Sequence, residues 1–300
     1  RAAEVTIQPI DILNADAAIL FSDILTPIEP MGMKLDFVPG PVFEDPIRTA
    51  ADVDALVVPE DMSKAVSYVP AIIKRLRTAF EGRVPLIGFG GAPFTLACYM
   101  VEGKGSKDFA SLKQMMYSDF PLYDALMKKI TEMDRRYLNM QIEAGAQAIQ
   151  IFDTWGGALS PDMFREFSLR YLEKIVAGLH RSYDGKTIPV VLFCKGCNSH
   201  LEAIADTGCD GLGVDWTITL AEARARVGDR VSLQGNLDPA IMLTNPEVIE
   251  NQVKKTLSSF GKGAGHVFNL GYGITPEVDP HHMTVLTESV RDFSPAWHED

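Results

Sequence analysis

The sequence predicts an α/β fold, a single (β/α)8 barrel over residues 1–300 whose first strand we expect to be missing from the chain. Short apolar, β-branched runs alternate with longer helical patterns along the whole sequence. Most of these runs are almost continuously hydrophobic, which is typical of parallel strands covered on both faces. The length of 300 residues also fits one barrel, which typically takes about 250 residues.

Seven runs are predicted as strands, at residues 17–21, 85–89, 146–152, 188–193, 211–215, 231–234 and 266–270. A closed barrel needs one strand more, and a missing N-terminal strand accounts for the difference. An open doubly wound sheet is the alternative. The barrel is favoured because the βα units follow one another evenly and no glycine-rich phosphate loop opens the first helix.

The elements between the strands follow from local signals. Residues 1–13 resemble an amphipathic helix already under way, so the chain is expected to begin partway into a fold. Residues 27–43 predict a long loop or hairpin. Ser160 and Pro161 predict a helix start, and Gly208 and Gly228 predict helix ends. The main helices are expected at residues 121–145, 201–206, 220–227, 246–260 and from residue 280 onward.

Composition limits the class of protein and its partners. The formal net charge of −12 argues against nucleic acid and anionic membranes as partners. No apolar run approaches the ~18 residues of a membrane span, and no signal peptide is evident. Four cysteines in 300 residues do not form a disulfide framework. We therefore expect a globular, cytoplasmic protein.

Polar residues cluster directly after the predicted strands. Because the carboxyl ends of parallel strands meet at one mouth of a barrel, these residues are expected to form one site. The candidates include Asp23, Tyr99, Asp153, Thr154 and Tyr272. Each also has an ordinary structural interpretation, with carboxylates and Thr154 in turns and tyrosines at the edge of the core.

The run Cys194–Lys195–Gly196–Cys197 is a candidate for a metal or redox site. A structural zinc site needs four protein ligands, and a catalytic one needs three and a water. The sequence offers one Cys-x-x-Cys pair and no second pair at a standard spacing. No metal site is therefore predicted.

Seven motifs together resemble those of the uroporphyrinogen decarboxylase family, in the family's order and over essentially the whole chain. They are Phe-Ser-Asp-Ile-Leu at 21–25, Gly-Ala-Pro-Phe-Thr-Leu at 91–96, Tyr-Met-Val-Glu-Gly at 99–103, Ile-Phe-Asp-Thr-Trp-Gly-Gly at 151–157, Leu-Gly-Val-Asp-Trp-Thr at 212–217, Gln-Gly-Asn-Leu-Asp-Pro at 234–239 and Phe-Asn-Leu-Gly at 268–271.

The resemblance implies a (β/α)8 barrel that works as a homodimer without a cofactor or metal. It implies removal of carboxyl groups from the four acetate side chains of uroporphyrinogen III, giving coproporphyrinogen III in heme biosynthesis. Loss of CO₂ needs an electron sink, and a pyrrole protonated at a ring carbon provides one. A carboxylate near the pyrrole N–H groups would stabilise that cation, and by resemblance this carboxylate is Asp23.

The resemblance also assigns substrate-binding residues. It implies that Tyr99 and Thr154 contact carboxylate arms or the polar edge of the substrate, that Phe89 and Phe152 pack against the macrocycle, and that Ile19 lies nearby. At Tyr272 the family has His, which can carry a positive charge beside an anionic arm. We therefore expect weaker substrate binding with chemistry retained, and a lower KM in Tyr272→His.

A second departure concerns the family's N-terminal Arg-Gln-Ala-Gly-Arg-Tyr motif, which we do not find in this sequence. Its arginines would pair with substrate carboxylates. Two alternatives therefore remain beside the decarboxylase: a non-catalytic protein that binds tetrapyrroles, and a zinc-dependent methyltransferase of the related corrinoid type. The methyltransferase would need a His-x-Cys pair after a strand, whereas here the strand ends Leu192–Phe193–Cys194–Lys195.

Overall fold

A curled sheet of seven parallel strands organises the chain. The computed structural model describes residues 1–38 and 40–298. All seven strands are parallel, and each one pairs with the next of the seven along the chain. Within the described residues, the first and the last of these strands are the two ends of the sheet and do not pair with each other. The prediction of a (β/α)8-type barrel of which seven strands are present is therefore confirmed.

The strands of this sheet are β1 (Ala18–Ile19), β4 (Leu86–Gly91), β5 (Ala148–Asp153), β8 (Val190–Cys194), β9 (Gly211–Gly213), β10 (Ser232–Leu237) and β11 (His266–Leu270). Two short antiparallel pairs lie outside it, formed by β2 (Leu35–Phe37) with β3 (Pro41–Phe43), and by β6 (Ser182–Tyr183) with β7 (Lys186–Thr187).

The helices are α1 (Ala2–Leu13), α2 (Ala50–Ala55), α3 (Met62–Ala65), α4 (Tyr68–Phe80), α5 (Pro93–Glu102), α6 (Ala110–Ser118), α7 (Phe120–Ala144), α8 (Pro161–Met163), α9 (Arg170–Gly178), α10 (Leu201–Ala205), α11 (Leu220–Val227), α12 (Pro246–Phe260), α13 (Pro280–Phe293) and α14 (Pro295–His298). A π-helical segment, Phe164–Leu169, joins α8 to α9. No described helix has the length and apolar character needed to cross a membrane.

The predicted elements are present, with differences at their ends. β1 and β9 are shorter than predicted, although their ladders continue through Leu20 N–H to Ile87 O and Val214 N–H to Gln234 O. The long segment after β1 contains the β2–β3 hairpin, as expected. Gly208 has a positive φ of 84°. Gly228 ends α11 in a right-handed conformation, with φ −69°, so no left-handed cap is formed there.

Helix α7 shows why these elements pack as they do. Its buried stripe includes Tyr123, Leu126, Ile130 and Met133, each with no exposed surface. The spacing of three and four residues places these side chains on one face. Full burial of an aliphatic side chain of this size contributes about 1.5–3 kcal/mol. Asp119 caps the helix start by accepting a hydrogen bond from Leu122 N–H at 3.1 Å.

Strand register determines which side chains face the inside of the curled sheet. Phe89 pairs with Gln150 across β4 and β5, and paired residues project on the same face. The side chains of Gln234 in β10 and Gln150 in β5 hydrogen-bond at 3.2 Å, although these strands are not neighbours. This bond crosses the interior. Phe152, two residues after Gln150, therefore also faces inward, toward the mouth formed by the strand ends.

Candidate active site

An arc of aromatic rings lines the mouth of the sheet. Phe89 of β4 contacts Phe152 of β5 edge-on at 5.9 Å between centroids. Phe152 contacts Phe193 of β8 at 6.1 Å, and Phe193 stacks on Tyr272 at 6.2 Å and 28°. The structure thus brings the predicted residues Phe89, Phe152 and Tyr272 together through Phe193. Such an arc offers an apolar wall to a flat ring system.

Asp23 lies at the mouth, four residues beyond Ile19 of β1. Its Oδ1 accepts a hydrogen bond from Leu25 N–H at 2.8 Å, which fixes the carboxylate in a turn. Its Oδ2 accepts no hydrogen bond from the residues that the structure describes. The residue is half-buried. Asp23 therefore caps a turn, and it also presents a carboxylate oxygen that a ligand can use.

Tyr99 of α5 lies close to both Asp23 and Tyr272. Burial raises the pKa of Tyr99; the indole of Trp155 acts in the opposite direction, and the charges of Tyr272 and Asp23 raise it further. The rings of Tyr99 and Trp155 lie 6.3 Å apart, and Trp155 Nε1 is buried without a partner at hydrogen-bond geometry among the described residues. The Tyr99 hydroxyl thus keeps its proton at neutral pH and can donate to an anion.

Asp153, at the end of β5, is a structural carboxylate. It is completely buried. Its oxygens accept hydrogen bonds from Thr95 Oγ1 at 2.7 Å and Ser168 Oγ at 2.6 Å. Burial raises the pKa of Asp153, and the two hydroxyls oppose that effect. Ser168 belongs to the π-helical segment, a type of irregularity that often occurs near functional sites. The structural interpretation of Asp153 agrees with these contacts.

Asp215, after β9, also uses its oxygens within the protein. Oδ1 accepts from Asn198 Nδ2 at 2.8 Å and from Thr217 N–H at 2.9 Å, and Oδ2 accepts from Gly196 N–H at 2.6 Å. Burial acts to raise the pKa of Asp215, but these hydrogen bonds outweigh it, so the pKa lies below its usual value. Asp215 therefore joins the loops after β8 and β9.

The remaining predicted residues are placed less directly. Thr154 is half-buried in the turn just after β5, beside Trp155. Ile19 is 43% exposed in β1 and pairs with Ile87, which shares the inward face of Phe89. These positions are consistent with a place at the mouth of the sheet, but no described contact joins Thr154 or Ile19 to Asp23.

The cysteines do not assemble a metal site. All four are free and buried. A hydrogen bond with the thiol of Cys197, together with burial, raises the pKa of Cys194 well above its usual value. Over residues 1–38 and 40–298, no group of three or more His, Cys, Asp or Glu side chains is placed to hold a metal ion.

Comparison with known proteins identifies the family. The model of the family described as uroporphyrinogen decarboxylase (URO-D) matches residues 1–293. A uroporphyrinogen decarboxylase from Geobacter sulfurreducens is 57% identical over 293 residues, covering 98% of this chain and 85% of that protein. The chain belongs to the uroporphyrinogen decarboxylase family. A second relative of the same name, from Alkalilimnicola ehrlichii, is 52% identical over 300 residues, covering 99% of this chain and 82% of that protein.

A solved structure shares the fold of this family member at lower identity. It is a methyltransferase from Methanosarcina mazei, with a TM-score of 0.83 and 23% identity over 97% of this chain and 85% of that chain. At this identity the likeness concerns the fold alone.

Sequence reasoning missed three residues at the mouth of this decarboxylase-family chain. Phe193 completes the aromatic arc, Thr95 binds Asp153, and Lys195 lies over the Tyr272 ring. Lys195 follows β8 directly, the same positional signal that selected Asp23 and Thr154. That signal was available, but the two flanking cysteines directed the interpretation toward metal.

Proposed function

We infer that this chain is a uroporphyrinogen decarboxylase, a carboxy-lyase of heme biosynthesis that converts uroporphyrinogen III to coproporphyrinogen III. The observation that carries this conclusion is the family match over residues 1–293, with relatives of that name at 52–57% identity. The mouth geometry supports it, because an apolar arc, a carboxylate and a protonated phenol lie together there.

Asp23 stabilises the cation through which the reaction proceeds. Protonation of a pyrrole ring carbon creates a positive charge that the neutral substrate ring lacks. A fixed carboxylate near the pyrrole N–H groups favours the charged state more than the ground state, and this difference accelerates the reaction. The hydrogen bond from Leu25 N–H holds Asp23 in place before the charge develops, so little reorganisation is needed.

Other mouth residues bind and orient the substrate. The phenol of Tyr99 donates a hydrogen bond to a carboxylate arm or the polar edge, and the Thr154 hydroxyl contacts the same side. Phe89 and Phe152 pack against the macrocycle, with Ile19 beside them. Tyr272 offers a hydroxyl and a ring face at the rim, where it is 38% exposed.

The protein works in the cytoplasm as a single catalytic domain, residues 1–300, and as a homodimer. Four free thiols suit a reducing compartment, and the continuous match to one family suits one domain. The dimer rests on the family resemblance, and light scattering coupled to size-exclusion chromatography tests it. A mass near 32.9 kDa at micromolar concentration would contradict the dimer.

The test of the function is anaerobic incubation of the chain with uroporphyrinogen III, with no cofactor added. Products are oxidised to porphyrins and separated by chromatography, beside the relative from Geobacter sulfurreducens as a positive control. We expect coproporphyrinogen III, preceded by intermediates that have lost one to three carboxyl groups. Binding of uroporphyrin III without any turnover would instead favour the non-catalytic, tetrapyrrole-binding alternative.

A further inference from the structure

We propose that Lys195 is a substrate-recognition residue, whose ammonium group pairs with a carboxylate arm of the tetrapyrrole at the rim of the mouth. The proposal rests on the proposed function. The observation behind it is a lysine held rigidly at a strand end, directed onto the aromatic arc, and without an acidic partner among the described residues.

The backbone of Lys195 is fixed from both sides. Lys195 N–H donates to Asp153 O at 3.1 Å, and Lys195 O accepts from Gly157 N–H at 3.1 Å. The next amide, Gly196 N–H, donates to the carboxylate of Asp215 at 2.6 Å. These bonds attach the residue to the segments after β5 and β9. A lysine anchored in this way loses less conformational freedom on binding an anion than one on a mobile loop.

The Gly157 contact requires glycine. A Cβ atom built at Gly157 would lie 2.5 Å from Lys195 O and 3.0 Å from the Cα of Gly196. Only glycine allows the turn after β5 to approach the Lys195 carbonyl so closely. Any side chain at position 157 would therefore displace the turn that contains Lys195.

The side chain of Lys195 is directed to the rim. Its Nζ lies 3.9 Å from the centroid of the Tyr272 ring and 6.0 Å from that of Trp216. Tyr272 in turn stacks on Phe193, which belongs to the aromatic arc. A ligand that packs on this arc would meet the ammonium group at its edge.

The charge of Lys195 is available to a ligand. Asp215, whose carboxylate accepts the hydrogen bond from Gly196 N–H next to Lys195, also accepts hydrogen bonds from Asn198 and Thr217. Among the described residues, no carboxylate lies within salt-bridge distance of Lys195 Nζ, although many other Lys and Arg side chains are paired. A cation over an aromatic ring is attracted more weakly than one bonded to a carboxylate. An ion pair between a carboxylate arm of the substrate and the Lys195 ammonium group is therefore more favourable than the contact with the Tyr272 ring alone.

Lys195→Gln tests the proposal, because Gln keeps much of the length and polarity but removes the charge. The matched control is Lys255→Gln, on the exposed face of α12 away from the mouth. Steady-state turnover of uroporphyrinogen III is measured for both variants. We expect KM to rise about tenfold in Lys195→Gln with kcat within about twofold, since a charge-assisted contact in ground and transition state alike is lost. Lys255→Gln should match the wild type.

Salt dependence separates a charge effect from a packing effect. The KM of the wild type should increase with ionic strength, and that increase should be smaller in Lys195→Gln. Lys195→Arg should recover part of the lost binding, because it restores the charge. An unchanged KM in Lys195→Gln, or a fall in kcat at constant KM, would overturn the proposal.

Failure of the proposed function is recognised separately. If the wild type does not turn over uroporphyrinogen III, the dissociation constant of uroporphyrin III is measured by quenching of protein fluorescence. A weaker binding in Lys195→Gln but not in Lys255→Gln would still support carboxylate recognition by Lys195, and equal binding in all three proteins would refute it.

Discussion

Replacing Asp23 with Asn tests whether the negative charge of this residue is needed for the decarboxylation. Asn keeps an oxygen that can accept the Leu25 N–H bond, which is 2.8 Å long in the wild type, but it removes the negative charge. Asp23 is half-buried, so an effective dielectric constant of about 20 is appropriate. At about 4 Å a unit charge pair is then worth about 4 kcal/mol. This corresponds to about a thousandfold in kcat.

The assay is anaerobic conversion of uroporphyrinogen III, with initial rates taken from separated porphyrin products. Asp61→Asn is the matched control, because Asp61 Oδ1 accepts a hydrogen bond from the amide two residues later, Ser63 N–H at 3.0 Å. Asp61 lines a surface cleft together with Met140 and His180, and none of the mouth residues lines this cleft. We expect full activity for Asp61→Asn. A kcat for Asp23→Asn within threefold of the wild type would refute the electrostatic role.

Asp23→Ala separates the two roles of this carboxylate. Ala removes the charge and also the hydrogen bond to Leu25 N–H. If the charge matters for catalysis and the turn for folding, Asn and Ala should lose the same activity. Ala should in addition lower the free energy of unfolding by about 1 kcal/mol, the usual loss when a capping side chain is removed. Equal stability of the two variants would show that the turn bond contributes little.

Three further substitutions test the rim of the mouth at Tyr272, the turn at Gly157 and the buried carboxyl group of Asp134. Tyr272→His places an imidazole beside the Lys195 ammonium, which should depress the imidazole pKa. Relative to the wild type, KM should therefore fall at pH 5.5 and scarcely change at pH 8; an equal change at both pH values would contradict this. Gly157→Ala should lower the melting temperature and raise KM, because its Cβ meets Lys195 O at 2.5 Å; unchanged melting and KM would show that the turn adapts. Asp134 is completely buried without a hydrogen-bond partner among the described residues, and burial raises its pKa well above the usual value. Above about pH 4 the carboxyl group of Asp134 loses its proton in the unfolded chain but keeps it in the folded protein. The free energy of unfolding should therefore fall with rising pH, by at most about 1.4 kcal/mol per pH unit. In urea titrations between pH 5 and 8, Asp134→Asn should reduce this slope, and an unchanged slope would show that other groups cause it.

The sequence predicted the fold because its signals are local and repeated. The strand predicted at residues 266–270 coincides with β11, and Pro246 and Phe260 bound α12 as predicted. Errors occurred where pairing, rather than composition, sets the end of an element. β1 is only two residues long, and the next backbone groups of β4, Phe89 N–H and C=O, bond the side chain of Gln141 instead. Periodicity within a single run contains no information about where its neighbour stops pairing.

The site was predictable in position but less so in detail. The rule that active-site residues follow barrel strands selected Asp23 and Thr154. It did not show that Ser168, from a π-helical segment, would bind Asp153 at 2.6 Å. That contact depends on an extra residue in a helical turn, and no sequence signal marks it. Lys195 was visible by the same rule as Asp23, but its contact with Tyr272 joins residues that lie far apart in the chain.

The chain has a net charge of −12, yet it can bind an anionic substrate if the carboxylates near the mouth are already hydrogen-bonded within the protein. Asp153 is buried with two hydroxyls on its oxygens, and burial raises its pKa. Asp215 is surrounded by amide and hydroxyl donors. Both carboxylates thus interact mainly with the protein, whereas Asp23 and Lys195 keep capacity for a ligand. A substrate with a cationic ring in the transition state and anionic arms at its edge needs this pair of charges, and the distant surface charges are largely screened beyond about 8–10 Å.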